Sequence, residues 1–222
     1  MRKGVPMRAG LLSLLLGLAG VAFGQNADVG VVNLVSGPVS YTPASGSPGK
    51  VQPFMKVREG DRFDLPAGAE LRIAFTEGAR LERWLGPASF HAARRSSTAI
   101  SGAPVESSTI PAGASARIAR VPELVRIAQL GGIQLRGLTP KQQASLDQQD
   151  VVRDARVTYA QMRKDLPADD ITPELYMYAV LYDFLLYDEM KDVVAEMRRK
   201  QPANEEITSI ENWLKGKLSH QR

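Results

Sequence analysis

Cysteine is absent from the 222 residues, and histidine occurs only twice, as His91 and His220. No disulfide can staple the fold, and neither a cysteine nucleophile nor a Cys/His zinc site can be assembled. The segments HExxH, GxxxxGK and GxGxxG do not occur, so zinc-hydrolase, phosphate-cradling and dinucleotide-binding readings lack their parts. Aromatic residues make up only 6% of the chain. The single long apolar run, Ala9 to Phe23, is too short and too rich in glycine to favour a membrane span. With 44% hydrophobic residues, stability has to come from packing alone, in one large core or two small ones.

That apolar run follows Arg2, Lys3 and Arg8 and precedes Ala22-Phe23-Gly24, with small residues on both sides of Phe23. Residues 1–24 therefore read as a secretory signal peptide cut before Gln25, with an uncleaved anchor as the alternative. Removing them changes 28 basic and 24 acidic side chains to 25 and 24, so the sequence pI of 9.4 overstates the basicity of the mature chain. A near-neutral surface of mixed sign is a poor nucleic-acid footprint. Arg94-Arg95 and Arg198-Arg199-Lys200 read as solvated surface and as a helix C-terminal cluster.

Two segments with different periods follow. Residues 25–138 read as a β domain. Val29 to Tyr41 suggests two strands meeting at Ser36-Gly37-Pro38, and Thr42 to Lys50 is a Pro/Gly/Ser-rich loop. Arg58 to Phe75 alternates on both sides of Leu65-Pro66-Ala67-Gly68: Phe63 and Leu65 against Arg62 and Asp64, then Leu71, Ile73 and Phe75 against Glu70 and Arg72. This predicts a half-buried antiparallel hairpin. The alternation slips at Arg83-Trp84, which suggests a bulge. Further strands are predicted at Ser89–Ala92, Pro104–Ile110, Ala114–Ala119 and Leu124–Ala128, ending at the turn Leu130-Gly131-Gly132-Ile133. Many short strands at this spacing favour a sandwich or a small barrel-like wrap.

Residues 139–222 read as helical. Thr139-Pro140 and Thr172-Pro173 each suggest an N-cap followed by proline. Val151, Ala155, Tyr159, Met162 and Leu166 form one amphipathic stripe. Met190, Val193, Val194 and Met197 form another, and Ile207, Ile210, Leu214 and Leu218 a third. Leu175 to Leu186 is apolar almost all round and has to be covered on several sides. Pro167 and Pro202 close two helices, and the short connections predict an array of helical hairpins. The fold class is α+β with the two kinds of element segregated.

Few residues invite a chemical role. Ser89 and His91 share a strand face, but no orienting acid is indicated, so they read as surface polar residues. Asp169, Asp170 and Glu174 are close enough to suggest acid–base work or cation binding. Their place at a helix start already accounts for them, since negative charge there offsets the helix dipole. No catalytic residue, cofactor or metal ligand is expected. Tyr159, Tyr176, Tyr178, Tyr182 and Tyr187 read mainly as core between helices, with hydroxyls left at wet edges.

The residues Val35-Ser36-Gly37-Pro38-Val39, Arg58-Glu59-Gly60-Asp61-Arg62, Pro66-Ala67-Gly68-Ala69-Glu70-Leu71 and Leu85-Gly86-Pro87-Ala88-Ser89 occur in that order. In this the β segment resembles the FecR domain, a periplasmic module named for iron-citrate regulators. Ala155, Tyr159, Met162 and Pro167, echoed by Met190, Val194, Met197 and Pro202, are similar to the second helix of a tetratricopeptide repeat. A plain four-helix appendage is the alternative. The tetratricopeptide resemblance implies a groove at Leu175, Ala179, Tyr182 and Asp183, with Tyr182 and Asp183 the foremost partner contacts. The expectation is a periplasmic or secreted, non-enzymatic binding or scaffolding protein with a protein or envelope-component partner, touching the membrane only through the transient leader. A periplasmic signalling partner of a membrane receptor or regulator, and a hydrolase with an unrecognised site, are the alternatives.

Overall fold

The computed structural model describes residues 26–131 and 146–219. The leader-like segment, Thr139-Pro140 and His220 lie outside the described residues. The strands are β1 (Asp28–Ser36), β2 (Ser40–Thr42), β3 (Gly49–Lys50), β4 (Lys56–Arg58), β5 (Arg62–Leu65), β6 (Glu70–Phe75), β7 (Arg80–Leu85), β8 (Ala88–Ala92), β9 (Ser97–Ser101) and β10 (Glu106–Thr109). The helices are α1 (Ala112–Ile118), α2 (Val121–Gln129), α3 (Leu146–Asp165), α4 (Thr172–Asp183), α5 (Tyr187–Lys200) and α6 (Glu205–Ser219).

The strands form two antiparallel five-stranded sheets, ordered β10-β7-β6-β1-β4 and β3-β2-β5-β8-β9. Their facing side chains share one core, including Phe63, Leu65 and Phe90 from one sheet and Leu71, Ile73, Phe75 and Trp84 from the other. Trp84 stacks on Phe90 at 4.3 Å between ring centroids, and Phe90 on Phe63 at 5.2 Å. The other face of the first sheet contributes Val31, Ala74 and Leu81 to a second core, which continues into the helices. The helices are therefore a third layer on one side of the paired sheets.

Arg58–Phe75 corrects the expected hairpin. β5 pairs with β2 and β8, whereas β6 pairs with β1 and β7, so Pro66–Ala69 carries the chain from one sheet to the other. Alternation places Phe63 and Leu71 on inward faces equally well in either topology, so it cannot identify the pairing partner. Gly68 takes a φ of +79° in this connection, a region glycine enters without a Cβ penalty. The charged side of β6 is not solvated either: Arg72 is buried beneath the helices.

No bulge occurs at Arg83-Trp84. The β6–β7 ladder runs without interruption from Glu70↔Leu85 to Phe75↔Arg80. Glu82 instead sits on the core row, 1% exposed, with its carboxylate bonded to Trp84 Nε1 at 3.3 Å and to the Ser97 hydroxyl. The register shifts lie elsewhere, within β1 and between β8 and β9.

The predicted strands Ala114–Ala119 and Leu124–Ala128 are α1 and α2. Ala114, Ile118, Val121, Leu124, Val125 and Ala128 are buried at spacings of three and four, the period of a helix face. Among the described residues the last strand ends at Thr109, the expected boundary at residue 138 lies outside them, and β9 had not been anticipated. In α3 the exposed Val151 is replaced on the buried stripe by Val152. Val152, Ala155, Met162 and Leu166 are buried, as are Met190, Val194 and Met197 of α5 and Ile207, Ile210 and Leu214 of α6. Every residue of α4 from Thr172 to Tyr182 is buried, as its all-round apolar sequence requires. α3, α4, α5 and α6 pack in sequence order, while α1 lies on α4 and α2 on α6.

Candidate functional site

The seam between the sheets and the helices is built around Arg72, whose side chain is 4% exposed. Strand alternation that directs Leu71 and Ile73 into the shared core directs Arg72 toward the helices. Its Nε donates to Glu70 Oε1 at 2.8 Å, its Nη2 donates to Asp169, and its Nη1 lies 3.7 Å from Asp170 Oδ2. Glu70 also receives Arg83 Nε at 2.8 Å. Burial alone would lower the pKa of Arg72, but the bonds to Asp169 and Glu70 outweigh it and hold it above the usual value. Arg72 in turn pulls the Asp169 carboxyl below the ordinary range.

Asn33 interrupts the apolar run of β1 and completes the seam. Its Nδ2 donates to Asp170 Oδ2 at 3.0 Å and to Thr172 Oγ1 at 2.6 Å, and its backbone carbonyl accepts Gln201 Nε2 at 3.2 Å. Thr172 is not the N-cap of α4; it opens the helix, and its N–H is taken by Asp170 Oδ1 at 2.7 Å. Behind Asp170, Glu174 Oε1 accepts Lys200 Nζ and Tyr159 OH, each at 3.0 Å. Burial and the Glu174 charge push the Tyr159 hydroxyl up to about 12. Arg163 donates to the Asp170 carbonyl at 2.8 Å and its Nε lies 3.5 Å from Glu174. The acidic cluster near the start of α4 is therefore neutralised by Arg72, Arg163 and Lys200 as well as by the helix dipole.

Ser89 and His91 do not form a nucleophile and base. The Ser89 hydroxyl donates to Asp64 Oδ1 at 2.6 Å, and His91 is exposed opposite Arg62.

The four residues expected to line a groove lie on α4 but do not face open space. Leu175 and Ala179 are fully buried, and Tyr182 is 9% exposed. Asp183 is held by Arg117 of α1 and by Arg120, whose Nη1 lies 2.6 Å from Oδ1. α1, part of the same chain and read from sequence as a strand, packs against α4. Tyr182 stacks on Trp213 of α6 at 5.6 Å, and Trp213 leads to the helical layer's open concavity.

That concavity, about 720 Å³, lies between the end of α2 and α6 and is lined by Ala128, Gln129, Ser209, Asn212, Trp213 and Lys217. Lys217 Nζ sits 5.9 Å from the Trp213 ring centroid, and Tyr187 meets the same ring edge-on. The Trp213 Nε1 donor is buried without a hydrogen-bond partner among the described residues. Sequence reasoning missed this site because α2 was not recognised as a helix. The spacing Ser209, Asn212, Gly216 on the polar side of the last stripe was the available signal.

No family model matches the chain, and no curated protein or solved structure matches it.

Proposed function

We propose that the protein is an exported, non-enzymatic binding and scaffolding component of the cell envelope. Its paired sheets serve as a FecR-like sandwich module, and its helices, tetratricopeptide-like in arrangement, hold a protein partner. Export rests on the leader-like pattern of residues 1–24. The observation that carries the scaffolding role is the buried seam around Arg72 and Asn33. It couples sheet and helices through bonds that need both parts in place, so a partner held by one is positioned relative to the other. The concavity between α2 and α6 supports a partner-binding role, because its wall combines the Trp213 ring, an exposed amide at Asn212 and a cation at Lys217.

Capture of partners from a periplasmic extract tests this reading, with Asn212→Arg as the blocking variant. Asn212 is exposed, so the variant should keep the wild-type melting temperature while recovering less partner. Equal recovery would remove the concavity from the binding role. Fractionation tests export: a mature chain confined to the cytosol would end the envelope assignment.

A further inference from the structure

A cut before Gln25 makes glutamine the first residue of the mature chain. A terminal glutamine carries an electrophile and a nucleophile within one residue, because its α-amine can reach its own side-chain amide carbon. Only Asn26 and Ala27 separate Gln25 from β1, and Asn26 is exposed. The ladder begins at Asp28↔Arg58, and the Ala27 carbonyl accepts the Glu59 N–H at 2.9 Å. The bonds that hold this end of β1 therefore use backbone groups from Ala27 onward, and a reaction at residue 25 consumes none of them.

The charges around this end leave the amine little to pair with. Asp28, the nearest carboxylate in sequence, is already held by Lys56 Nζ at 2.7 Å and by Arg58 Nε at 3.4 Å. Two cations beside it disfavour a third positive charge and so favour the neutral, nucleophilic amine. Glu59 is the other acid on this rim; it is exposed, and an exposed pair holds only weakly. An α-amine is in any case part-unprotonated near neutral pH, as a lysine is not.

We propose that Gln25 is a modification site and that the mature chain begins with a pyroglutamyl lactam. This rests on the export proposed above. The α-nitrogen attacks the side-chain Cδ, and the new N–Cδ bond closes a five-membered ring. The bond from Cδ to Nε2 breaks, and that nitrogen leaves as ammonia, taking one proton from the amine. The step is intramolecular, with the effective concentration that proximity brings, and needs no oxidant, reductant or co-reactant. Its product has no terminal ammonium for an aminopeptidase to grip. That protects β1, which lies between β6 and β4 in its sheet and whose pairing with β4 starts at Asp28.

Intact-mass spectrometry on the full chain, produced in a bacterium with a periplasm, tests this, with Gln25→Asn beside the wild type. Asparagine keeps the amide, but its shorter side chain could close only a strained four-membered ring. The wild type should be lighter by about 17 Da, the mass of ammonia, than residues 25–222 require. It should also resist stepwise degradation from its N-terminus until a pyroglutamate-specific peptidase removes the lactam. Gln25→Asn should be cut at the same bond, show its full mass and degrade from a free amine. A wild type that begins at Gln25 with a free amine overturns the modification and leaves export standing. A cut at another bond does the same. A chain that keeps residues 1–24 overturns the cleaved leader and the modification together. The same loss of mass in Gln25→Asn would place the lost ammonia elsewhere, which also overturns the proposal.

Discussion

Asn33 of β1 and Thr172 of α4, 139 positions apart in the chain, are joined by a 2.6 Å hydrogen bond between their buried side chains. The same Asn33 amide reaches Asp170, so one polar residue in an apolar strand fixes where α4 begins relative to the sheet. Buried polar groups in such a network each depend on the others, because an unpaired member bears the full cost of its desolvation.

Arg72→Ala is expected to destabilise the protein by about 3–5 kcal/mol, the usual consequence of leaving buried carboxylates without their cation. The charges left behind are Asp170, fully buried, and Glu70, partly buried. Urea unfolding followed by circular dichroism measures the loss. A change below about 1 kcal/mol, the level of a surface pair, would show that the seam is not tight.

Tyr178→Phe should be neutral or stabilising. The Tyr178 hydroxyl is fully buried with no hydrogen-bond partner, and burial raises its pKa well above that of a free tyrosine. An unsatisfied buried hydroxyl costs about 1–3 kcal/mol, and the ring itself is retained in phenylalanine. A fall in melting temperature would reveal a partner for that hydroxyl.

Two glycines should respond differently to alanine. At Gly68, φ is +79° but nothing lies within 4 Å of an added Cβ, so Gly68→Ala should cost about 1–2 kcal/mol of backbone strain. At Gly86 the added Cβ would come 1.8 Å from the Pro66 carbonyl oxygen, in the connection between the sheets. Backbone cannot yield as a side-chain tip can, so Gly86→Ala should cost clearly more. Equal melting temperatures for the two variants would contradict this packing.

Acid should loosen the seam. Asp169 is held below its ordinary pKa of 3.8 by Arg72; Glu70 is held below 4.5 because bonds from Arg83 and Arg72 outweigh the effect of burial. A carboxyl with a depressed folded-state pKa contributes stability above its unfolded value, and that contribution disappears as pH falls through the folded value. The loss therefore begins below about pH 4.5. Asp61, raised by burial despite the Arg58 N–H bond, acts with the opposite sign and partly offsets it, since its protonation relieves a buried charge. Asp169→Asn should flatten the fall of melting temperature between roughly pH 5 and pH 3. An unchanged slope would mean that Asp169 is not coupled to folding.

Local pattern was a good guide to element type where the period was long or strict. The alternation of Leu71, Ile73 and Phe75 did place them in the core, and the fours and threes of Met190, Val194 and Met197 did form a helix face. It failed over Ala114–Ala128, where two short helices divided at Arg120 offered too few turns for their period to stand out from short strands. The candidate site suffered from the same error. α4, which holds Leu175 and Ala179, is covered by α1 as well as by α3 and α5, and the concavity beside Trp213 exists only once α2 lies against α6.

The sequence by itself determined a cysteine-free chain of β segments followed by helices, because side-chain periodicity and turn residues act over a few positions. Only the tertiary structure decided that Arg62–Leu65 and Glu70–Phe75 separate into different sheets, and that Arg72 is buried rather than solvated. Strand pairing and the burial of a charge depend on groups such as Asn33, Asp169 and Asp170, which approach Arg72 only when distant parts of the chain close around it. The physical reason is range: hydrophobic alternation specifies which way a side chain points, whereas what it meets there is settled by long-range packing.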